Sequence, residues 1–404
     1  MTDSGFCPDA KRVLDESKVA ATCLEPAEIG FDCNRVGGNS SIASGIVCGR
    51  RIGVITGSYY DAARSMLSKC GIDIVGFESR SPRTVHFAGR RAHVKLYVVS
   101  EEDIIEDMIL EYLNESGIDF VPQVLCKRRI NGLLVLLATS RVDGKPLASI
   151  LVDEASMLLE GEDVDLYARL MRELGSALAR IHDAMEGCKH DWCKPRRSTT
   201  RDVDKWLYRL AYRRRLVEGI YPIGDGDVGV YEVLDALKFL EESFRSDKDL
   251  MQGWEIIRGH GDLHLYQVYV HNSGSLVITD FEGEPYRDPA RKDELEPPER
   301  DLAAVLRSLD YIVYMALQRS QGEKSGSLLE EWASRVARSF IEGYTSRGRS
   351  INEDSLAFWL AERASYELVY ELTAATGLHP IPANALVSMR FKGPGAYLRS
   401  LLGG

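Results

Sequence analysis

The sequence predicts an α+β fold with two lobes, a small β-rich N-terminal lobe and a larger, mainly α-helical C-terminal lobe. The first observation is a series of short β-prone segments at residues 72–99, followed by an apolar strand at residues 133–138. The second is the turn-rich segment TSRVDGKP at residues 139–146, which is typical of a hinge between lobes. The third is the helical periodicity that dominates the chain after this hinge.

Composition and charge limit the possible functions. The chain has 404 residues, of which 45% are hydrophobic and 27% charged, as in an ordinary globular protein. A net charge of −11 argues against a nucleic-acid surface, which requires clustered Lys and Arg. The apolar runs are shorter than the roughly 18 residues of a membrane span, and the N-terminus lacks an apolar signal core. We therefore expect a cytoplasmic protein without nucleic-acid or membrane partners.

The eight cysteines form no Cys-x-x-Cys pair. We expect most of them to be packed thiols, and disulfide pairing is left open. Residues 188–193 contain two cysteines and one histidine, but a fourth ligand is missing, so we do not expect a metal site there. Oligomeric state is not predicted by the sequence.

Residues 1–80 are predicted to form an N-terminal cap or accessory domain. Residues 42–48 and 52–56 are apolar runs that predict a hairpin. The helical pattern at residues 60–67 follows a glycine-containing turn that lacks both G-x-G-x-x-G and G-x-x-x-x-G-K. This turn is therefore interpreted as an ordinary connection.

Residues 81–144 are predicted to form a small nucleotide-binding lobe and hinge. Lys95 lies inside a β-prone strand, where its ammonium group needs a partner. Glu106 on the following helix can pair with it, and the lysine can then contact nucleotide phosphates. By position alone, backbone groups from Ala138 to Arg141 are candidates for adenine binding.

Residues 145–404 are predicted to form the helical lobe with the catalytic loop and the sugar site. Leucines at residues 166–181 recur at helical spacing, so this segment is predicted to be a core helix, and His182 at its end a structural residue. The basic residues of segment 194–215 are interpreted as a solvated helix face.

The stretch of residues 258–284 contains the residues that point to phosphoryl transfer. Gly261 permits a tight turn that presents the carboxylate of Asp262, which could orient an acceptor hydroxyl and take its proton. Gln267 and Asp280 offer the hard oxygen ligands that Mg²⁺ prefers. Because an antiparallel hairpin separates Gln267 from Asp280, we expect the two side chains at the same end of adjoining strands.

Acidic residues surround this hairpin. Glu282 and Glu284 could assist the metal or bind a polyol, and an exposed acidic loop explains them equally well. Asp301, near the start of a buried helix, is expected to brace the catalytic turn through backbone hydrogen bonds, or else to be a favourable charge at a helix N-terminus. Residues 288–300 are predicted to be a mobile surface loop without a catalytic part.

Three motifs carry a resemblance to a known family. They are H-G-D-L-H-x-x-Q at residues 260–267, D-F-E-G-E-P at 280–285 and R-D-L-A-x-x-L-R-S-L-D-Y at 300–311. Together they resemble the maltokinase and glucosamine kinase group of the aminoglycoside-phosphotransferase-like kinases, in which Gln replaces the Asn of the wider family. The resemblance implies a protein-kinase-like fold with an N-terminal cap.

The resemblance also implies an ATP- and Mg²⁺-dependent reaction in which Asp262 is the catalytic base. Glu102 and Glu111 are alternatives to Glu106 as the partner of Lys95. By the resemblance, Lys95 and Glu106 hold the ATP phosphates, Gln267 and Asp280 bind magnesium, and Tyr366 and Tyr370 line the sugar pocket. The further candidates are Glu282 as a metal ligand, Asp262, His264, Glu284 and Glu371 as sugar contacts, and His260 and Asp301 as supporting residues.

Two departures from the group leave the sugar open. Tyr266 stands where the group usually has Gly, and residues 372–377 replace an Arg-Asn-Arg-Pro-like run. Missing hydrogen-bonding groups can change substrate preference by orders of magnitude. The predicted function is a sugar kinase, with maltose to maltose 1-phosphate as the first candidate and glucosamine or another monosaccharide as the alternative.

The sequence bears on two other functional classes. A metal-dependent phosphoesterase would use His260 and His264 as ligands, but it needs further His or Asn ligands in distant loops. A catalytically silent kinase fold is disfavoured because Lys95, Asp262 and the two expected metal ligands all occur together.

Overall fold

The computed structural model describes residues 12–13, 32–37, 40–47, 50–81, 83–161, 166–221, 229–285, 294–320 and 326–403. The chain divides into two compact units, residues 1–143 and residues 144–404. The first unit contains nine of the fourteen described strands, and the second contains most of the described helices.

The first sheet of the N-terminal unit is antiparallel, in the order β1-β2-β3-β7. The predicted hairpin is confirmed, since Ile42 lies opposite Ile55 in paired strands. Helix α1 follows directly, and its first turn is capped by Ser58, whose Oγ accepts the N–H of Asp61. The elements are β1 (Asp32–Gly37), β2 (Ser40–Val47), β3 (Arg50–Thr56), α1 (Tyr59–Leu67) and β7 (Val99–Glu101).

The second sheet has the antiparallel order β4-β5-β6-β9-β8. One hydrophobic cluster joins the two sheets, because Ile42 and Val54 of the first pack in the same core as Leu96 and Leu136 of the second. The segments predicted as a cap and as a lobe therefore share a core. The elements are β4 (Ile74–Arg80), β5 (Thr84–Gly89), β6 (Ala92–Tyr97), α2 (Glu106–Glu115), β8 (Val124–Ile130) and β9 (Leu133–Ser140).

The C-terminal unit contains nine helices among its described residues, with the candidate site carried on a small antiparallel sheet, β10-β13-β14. A 3-10 turn at Leu265–Gln267 leads into β13. The elements are β10 (Lys145–Pro146), α3 (Leu147–Leu159), α4 (Leu166–Glu186), β11 (Arg196–Arg197), α5 (Thr200–Ile220), α6 (Val230–Ser246), β12 (Glu255–Ile256), β13 (Val268–Val270), β14 (Leu276–Ile278), α7 (Glu299–Ser320), α8 (Gly326–Thr345), α9 (Glu353–Ala374), α10 (Pro380–Lys392) and α11 (Pro394–Leu401).

Helices α4 and α8 pack with their backbones in direct contact. A Cβ atom added to Gly175 would lie 2.1 Å from the carbonyl oxygen of Phe340, and one added to Gly343 would lie 2.0 Å from that of Arg172. Both distances are far below van der Waals contact. The predicted core helix is confirmed, since Leu174 of α4 is buried at this crossing.

Four cysteines are paired, and the expectation of packed thiols is wrong for them. Cys70 is bonded to Cys126 in the N-terminal unit, and Cys188 to Cys193 in the C-terminal unit. The second pair joins the two cysteines of segment 188–193 to each other.

Two surface predictions are wrong in part. Of the predicted mobile loop, residues 288–293 lie outside the described residues, but Glu296 and Arg300 are buried and Glu296 forms a β-bridge with Ile257. In the basic segment 194–215, Arg209 and Arg213 are fully buried against carboxylates, so they do not form a solvated face. No described helix is both long and apolar enough to cross a membrane.

Candidate active site

Asp262 lies in a turn whose backbone is held by a second carboxylate. The backbone N–H groups of His260 and Gly261 donate to the two oxygens of Asp301, at 2.7 and 3.0 Å. Gly261 has φ +88°, a conformation that favours glycine. Arg300 donates to the carbonyl oxygen of Gly261 at 2.6 Å. The predicted bracing contact of Asp301 is therefore present, and His260 contributes to it through its backbone.

A chain of buried side chains holds Asp301 in turn. Nε2 of His182 lies 3.1 Å from Asp301, and Nδ1 of His182 lies 2.9 Å from the hydroxyl of Tyr344. Burial disfavours the charged carboxylate, but the hydrogen bond and charge of His182, with the Gly261 N–H, hold the pKa of Asp301 below its usual value. His182 is thus structural, as the sequence predicted.

The side chain of Asp262 has two different neighbours. Its Oδ1 accepts a hydrogen bond from Arg363 at 2.7 Å, and its Oδ2 lies 4.0 Å from Nε2 of His264. Burial lowers the pKa of His264, and the nearby charge of Asp262 offsets this only in part. The lowered pKa favours the neutral imidazole, which can both donate and accept hydrogen bonds.

Gln267 and Asp280 meet as the hairpin predicted. The amide nitrogen of Gln267 lies 2.6 Å from Oδ2 of Asp280, and the backbone N–H of Thr279 donates to the carbonyl of Gln267 at 2.9 Å. Nε2 of His264 lies 3.4 Å from the Gln267 amide. Asp262, His264, Gln267 and Asp280 therefore form one continuous row of polar side chains.

Asp280 has an unusual backbone. Its φ is +69°, in the left-handed region that non-glycine residues rarely adopt. Such a conformation costs on the order of 1 kcal/mol and is often found at functional sites. Here it places the carboxylate against the amide of Gln267. An amide and a carboxylate at this separation fit a hard cation such as Mg²⁺, once the amide turns its oxygen inward.

The acidic residues after Asp280 differ in exposure. Glu282 is partly exposed, and its predicted role as a metal ligand stays a prediction. Glu284 is fully buried, and its carboxylate contacts Arg363 at 3.0 Å and Arg300 at 2.7 Å. In this arrangement Glu284 is paired with two buried guanidinium groups, which excludes the exposed acidic loop for this residue. Its predicted contact with the sugar also stays a prediction.

The predicted sugar-binding residues on α9 lie on one face. The rings of Tyr366 and Tyr370 stack with centroids 6.2 Å apart, and Tyr366 is the more buried. Glu371, one residue further, accepts a hydrogen bond from Tyr311 at 3.0 Å and one from Thr376. Burial raises the pKa of Glu371 above its usual value despite these two donors. The binding of sugar by these residues is not tested by the geometry.

In the N-terminal unit, the predicted pair of Lys95 and Glu106 is present. Nζ of Lys95 lies 3.1 Å from Oε2 of Glu106, both side chains are buried, and the hydroxyl of Tyr97 donates to the same oxygen. Glu111 instead contacts Lys127 at 2.6 Å, which removes it as the alternative partner. The role of Lys95 and Glu106 in binding ATP remains a prediction.

The candidate adenine-binding segment is largely engaged in the sheet. Ala138 lies in the central strand β9, opposite Val94 on one side and Cys126 on the other. The backbone N–H of Arg141 donates to the carbonyl of Arg91 at 3.0 Å. This N–H is therefore already used in a hydrogen bond within the N-terminal unit. It cannot at the same time donate to an adenine base, which argues against the predicted role of the Arg141 backbone N–H.

Sequence reasoning missed the buried arginines of the site, Arg300 and Arg363. Arg363 is 8% exposed at its side chain and contacts Asp262 directly. A single arginine on a helix usually extends into solvent, so its residue type gave no sign of burial. The one available signal was its spacing, because Arg363, Glu367 and Tyr370 recur at three- and four-residue intervals on one helix face.

The chain is similar in sequence to two glucosamine kinases. It is 25% identical over 206 residues to one from Streptacidiphilus jiangxiensis, covering 51% of this chain and 44% of that protein. It is 26% identical over 216 residues to one from Mycolicibacterium smegmatis (strain ATCC 700084 / mc(2)155), covering 53% and 50%. The matched segments thus span about half the length of these relatives. No family model matches the chain.

The fold is similar to that of solved glucosamine kinase structures. One in complex with glucosamine, ADP and inorganic phosphate aligns with a TM-score of 0.68 and 16% identity over 96% of this chain and 98% of that one. A second, crystal form A, aligns with a TM-score of 0.71 and 19% identity over 92% and 96%. These matches confirm the predicted protein-kinase-like α+β fold. In sequence and in fold, the chain is therefore similar to the glucosamine kinases of the protein-kinase-like sugar kinase group that its motifs resemble.

Proposed function

We propose that the chain is an ATP- and Mg²⁺-dependent kinase that transfers a phosphoryl group to a sugar hydroxyl, with glucosamine as the first substrate to test. The observation that carries the proposal is the row of Asp262, His264, Gln267 and Asp280 within the C-terminal unit. Phosphoryl transfer depends mainly on positioning and charge stabilisation. This row offers a base at one end and hard oxygen ligands at the other.

Each end of the row has its own task. Oδ2 of Asp262, which Arg363 leaves uncovered, would accept the hydrogen of the sugar hydroxyl and take its proton. Neutral His264 would hold the same hydroxyl, or a neighbouring one, in place. Gln267 and Asp280 would hold a magnesium ion, which offsets negative charge on the nucleotide phosphates when bound.

Within the N-terminal unit, Lys95 and Glu106 are the proposed contacts to the nucleotide phosphates. Lys95 is paired with Glu106 at 3.1 Å, and its ammonium group would attract the nucleotide phosphates. Glu106 would orient the lysine through the shared contact with Tyr97. One solved glucosamine kinase to which this fold is similar is in complex with ADP, which supports the use of a nucleotide here.

Glucosamine is the first candidate substrate because the two sequence relatives described above are glucosamine kinases. A neutral sugar such as maltose is the second candidate, and one observation favours it. The buried carboxylates beside Asp262 are already neutralised, Glu284 by Arg300 and Glu367 by Arg307. They offer little excess negative charge for the ammonium group of an amino sugar.

A direct assay tests the proposal. Purified protein is incubated with ATP, Mg²⁺ and a panel that contains glucosamine, maltose, glucose and N-acetylglucosamine, and the release of ADP is followed. We expect turnover on one of these sugars and none after EDTA is added. Absence of turnover on the whole panel, with a working glucosamine kinase as positive control, contradicts the proposal. The ratio of kcat/KM for glucosamine to that for maltose decides between the two candidates.

A further inference from the structure

Arg363 joins Asp262 to two buried glutamates. Its NH1 donates to Oδ1 of Asp262 at 2.7 Å and to Glu284 at 3.0 Å, and its Nε donates to Glu367 at 3.0 Å. Its guanidinium carbon lies 5.0 Å from the ring centroid of Tyr366. These hydrogen bonds and the ring contact together restrict the orientation of the buried guanidinium group.

The two glutamates have arginine partners of their own. Arg300 contacts Glu284 at 2.7 Å, and Arg307 contacts Glu367 at 2.8 Å. Each glutamate therefore keeps an arginine partner when Arg363 is removed, although Arg300 also contacts Glu296 and Arg307 also contacts Asp310. An unpaired buried carboxylate would be costly. Neither Glu284 nor Glu367 would be left unpaired without Arg363, so pairing of these glutamates does not explain why Arg363 contacts Asp262. It engages one oxygen of Asp262 and leaves the other facing His264.

We propose that Arg363 is a positioning residue that fixes the carboxylate of Asp262, with Oδ1 bound to α9 and Oδ2 turned toward the acceptor hydroxyl. This inference rests on the proposed kinase function. Without Arg363 the carboxylate can rotate about its terminal bond, because the backbone of the turn is held by Asp301 but the side chain is not. A base displaced by about 1 Å can lose on the order of 100-fold in rate.

Arg213 provides a matched control for Arg363. It is equally buried, and its guanidinium carbon lies 5.3 Å from the ring centroid of the same Tyr366. Its hydrogen bonds go to Glu362 and Ser365, away from Asp262. A variant at Arg213 therefore removes a buried guanidinium from the same ring without releasing the Asp262 carboxylate.

The test compares Arg363→Lys and Arg363→Ala with Arg213→Lys and Arg213→Ala on whichever sugar the wild type phosphorylates. A lysine has a single ammonium group in place of the planar guanidinium, so it cannot reproduce the contacts of Arg363 with Asp262, Glu284 and Glu367 in the same geometry. We expect Arg363→Lys to lower kcat by roughly 10-fold and Arg363→Ala by roughly 100-fold. The KM for ATP should stay within about threefold, and the Arg213 variants should keep kcat within about threefold at a matched loss of thermal stability.

Chemical rescue separates positioning from general structural damage. Guanidinium ion at low millimolar concentration should raise the kcat of Arg363→Ala by about tenfold or more, because the ion can occupy the space that the arginine side chain leaves. It should not raise kcat in Arg213→Ala. If Arg363→Ala does not fold, the contrast between Arg363→Lys and Arg213→Lys decides. An equal loss of kcat at both positions, or rescue at neither, overturns the inference.

These results are distinguishable from failure of the proposed function. If the wild type does not phosphorylate any sugar in the panel, the kinase proposal fails before any variant is compared. If the wild type is active and Arg363→Lys is as active as Arg213→Lys, the kinase proposal stands and the positioning role is wrong.

Discussion

The carboxylate of Asp301 accepts the backbone N–H of His260 at 2.7 Å, from a position 41 residues further along the chain. Its other oxygen accepts the N–H of Gly261. The turn that presents Asp262 is therefore fixed through its main chain, and the contact uses both oxygens of one acidic side chain.

Asp301→Asn should disrupt this contact. An amide nitrogen would face a backbone N–H donor, so at least one buried donor would lose its acceptor. We expect a loss of about 2–4 kcal/mol in the free energy of unfolding and a lower kcat with little change in the KM for ATP. Thermal unfolding and steady-state kinetics check this result, with Asp204→Asn on the exposed face of α5 as the control. Unchanged stability would contradict the bracing role.

The same carboxylate predicts a dependence of stability on pH. Because the pKa of Asp301 is lower in the folded protein than in the unfolded chain, its contribution is fully present above the unfolded value of about 4. That contribution is lost as the pH falls below this value. The melting temperature of the wild type should therefore fall more steeply between about pH 4 and pH 2 than that of Asp301→Asn. Parallel curves for the two proteins would count against this assignment.

Asp262→Asn tests the proposed base. Asparagine keeps the size of the side chain but cannot accept a proton, so we expect turnover to fall by about two orders of magnitude or more. Binding of ATP should be retained, because the proposed nucleotide contacts lie elsewhere. Isothermal titration with a non-hydrolysable ATP analogue and the ADP-release assay separate these two quantities. Turnover within about tenfold of the wild type would exclude Asp262 as the base.

Asp280 allows charge and backbone conformation to be tested separately. Asparagine tolerates the left-handed conformation nearly as well as aspartate, so Asp280→Asn should keep the melting temperature while removing the negative charge. We expect the Mg²⁺ concentration for half-maximal rate to rise by at least tenfold. Asp280→Gly relieves the strained φ and should be as stable as the wild type or more so, with the same defect toward Mg²⁺. A normal Mg²⁺ response in both variants would remove Asp280 as a metal ligand.

The disulfide between Cys70 and Cys126 leads to two predictions, one on the melting temperature and one on the alkylation of its cysteines. It closes a loop of 56 residues, for which the chain-entropy model gives about 4 kcal/mol, against about 2 kcal/mol for Cys188–Cys193. Replacing both cysteines of the first pair by serine should therefore lower the melting temperature more than the same change in the second. Mass spectrometry after alkylation without reductant measures the pairing directly. Labelling of all four residues would show that neither bond forms.

Much of the fold was readable from sequence because local patterns agreed with it. Two short apolar runs predicted the N-terminal hairpin, and the leucine spacing predicted α4. Within the site, the interval between Gln267 and Asp280 predicted their contact, because a hairpin of that length brings its two ends together. The place of Asp301 at the start of a buried helix also predicted that its carboxylate accepts backbone hydrogen bonds from the turn before Asp262.

The arginines could not be predicted in the same way. Whether Arg213 or Arg363 extends into solvent or is buried depends on carboxylates from distant segments, such as Glu362 for the first and Asp262 for the second. No local periodicity encodes such a partner. The disulfide between Cys70 and Cys126 was missed for the same reason, since two cysteines 56 residues apart have no local signature.

The close crossing of α4 and α8 at Gly175 and Gly343 sets a distance that the catalytic turn depends on. Tyr344 follows Gly343 directly, and His182 lies two helical turns beyond Gly175, so the crossing fixes the spacing of the hydrogen bonds that lead to Asp301. Any side chain larger than hydrogen would wedge the two helices apart. A mutational screen scored only by enzyme activity would therefore rank both glycines with the active-site residues, although neither is placed to contact a substrate.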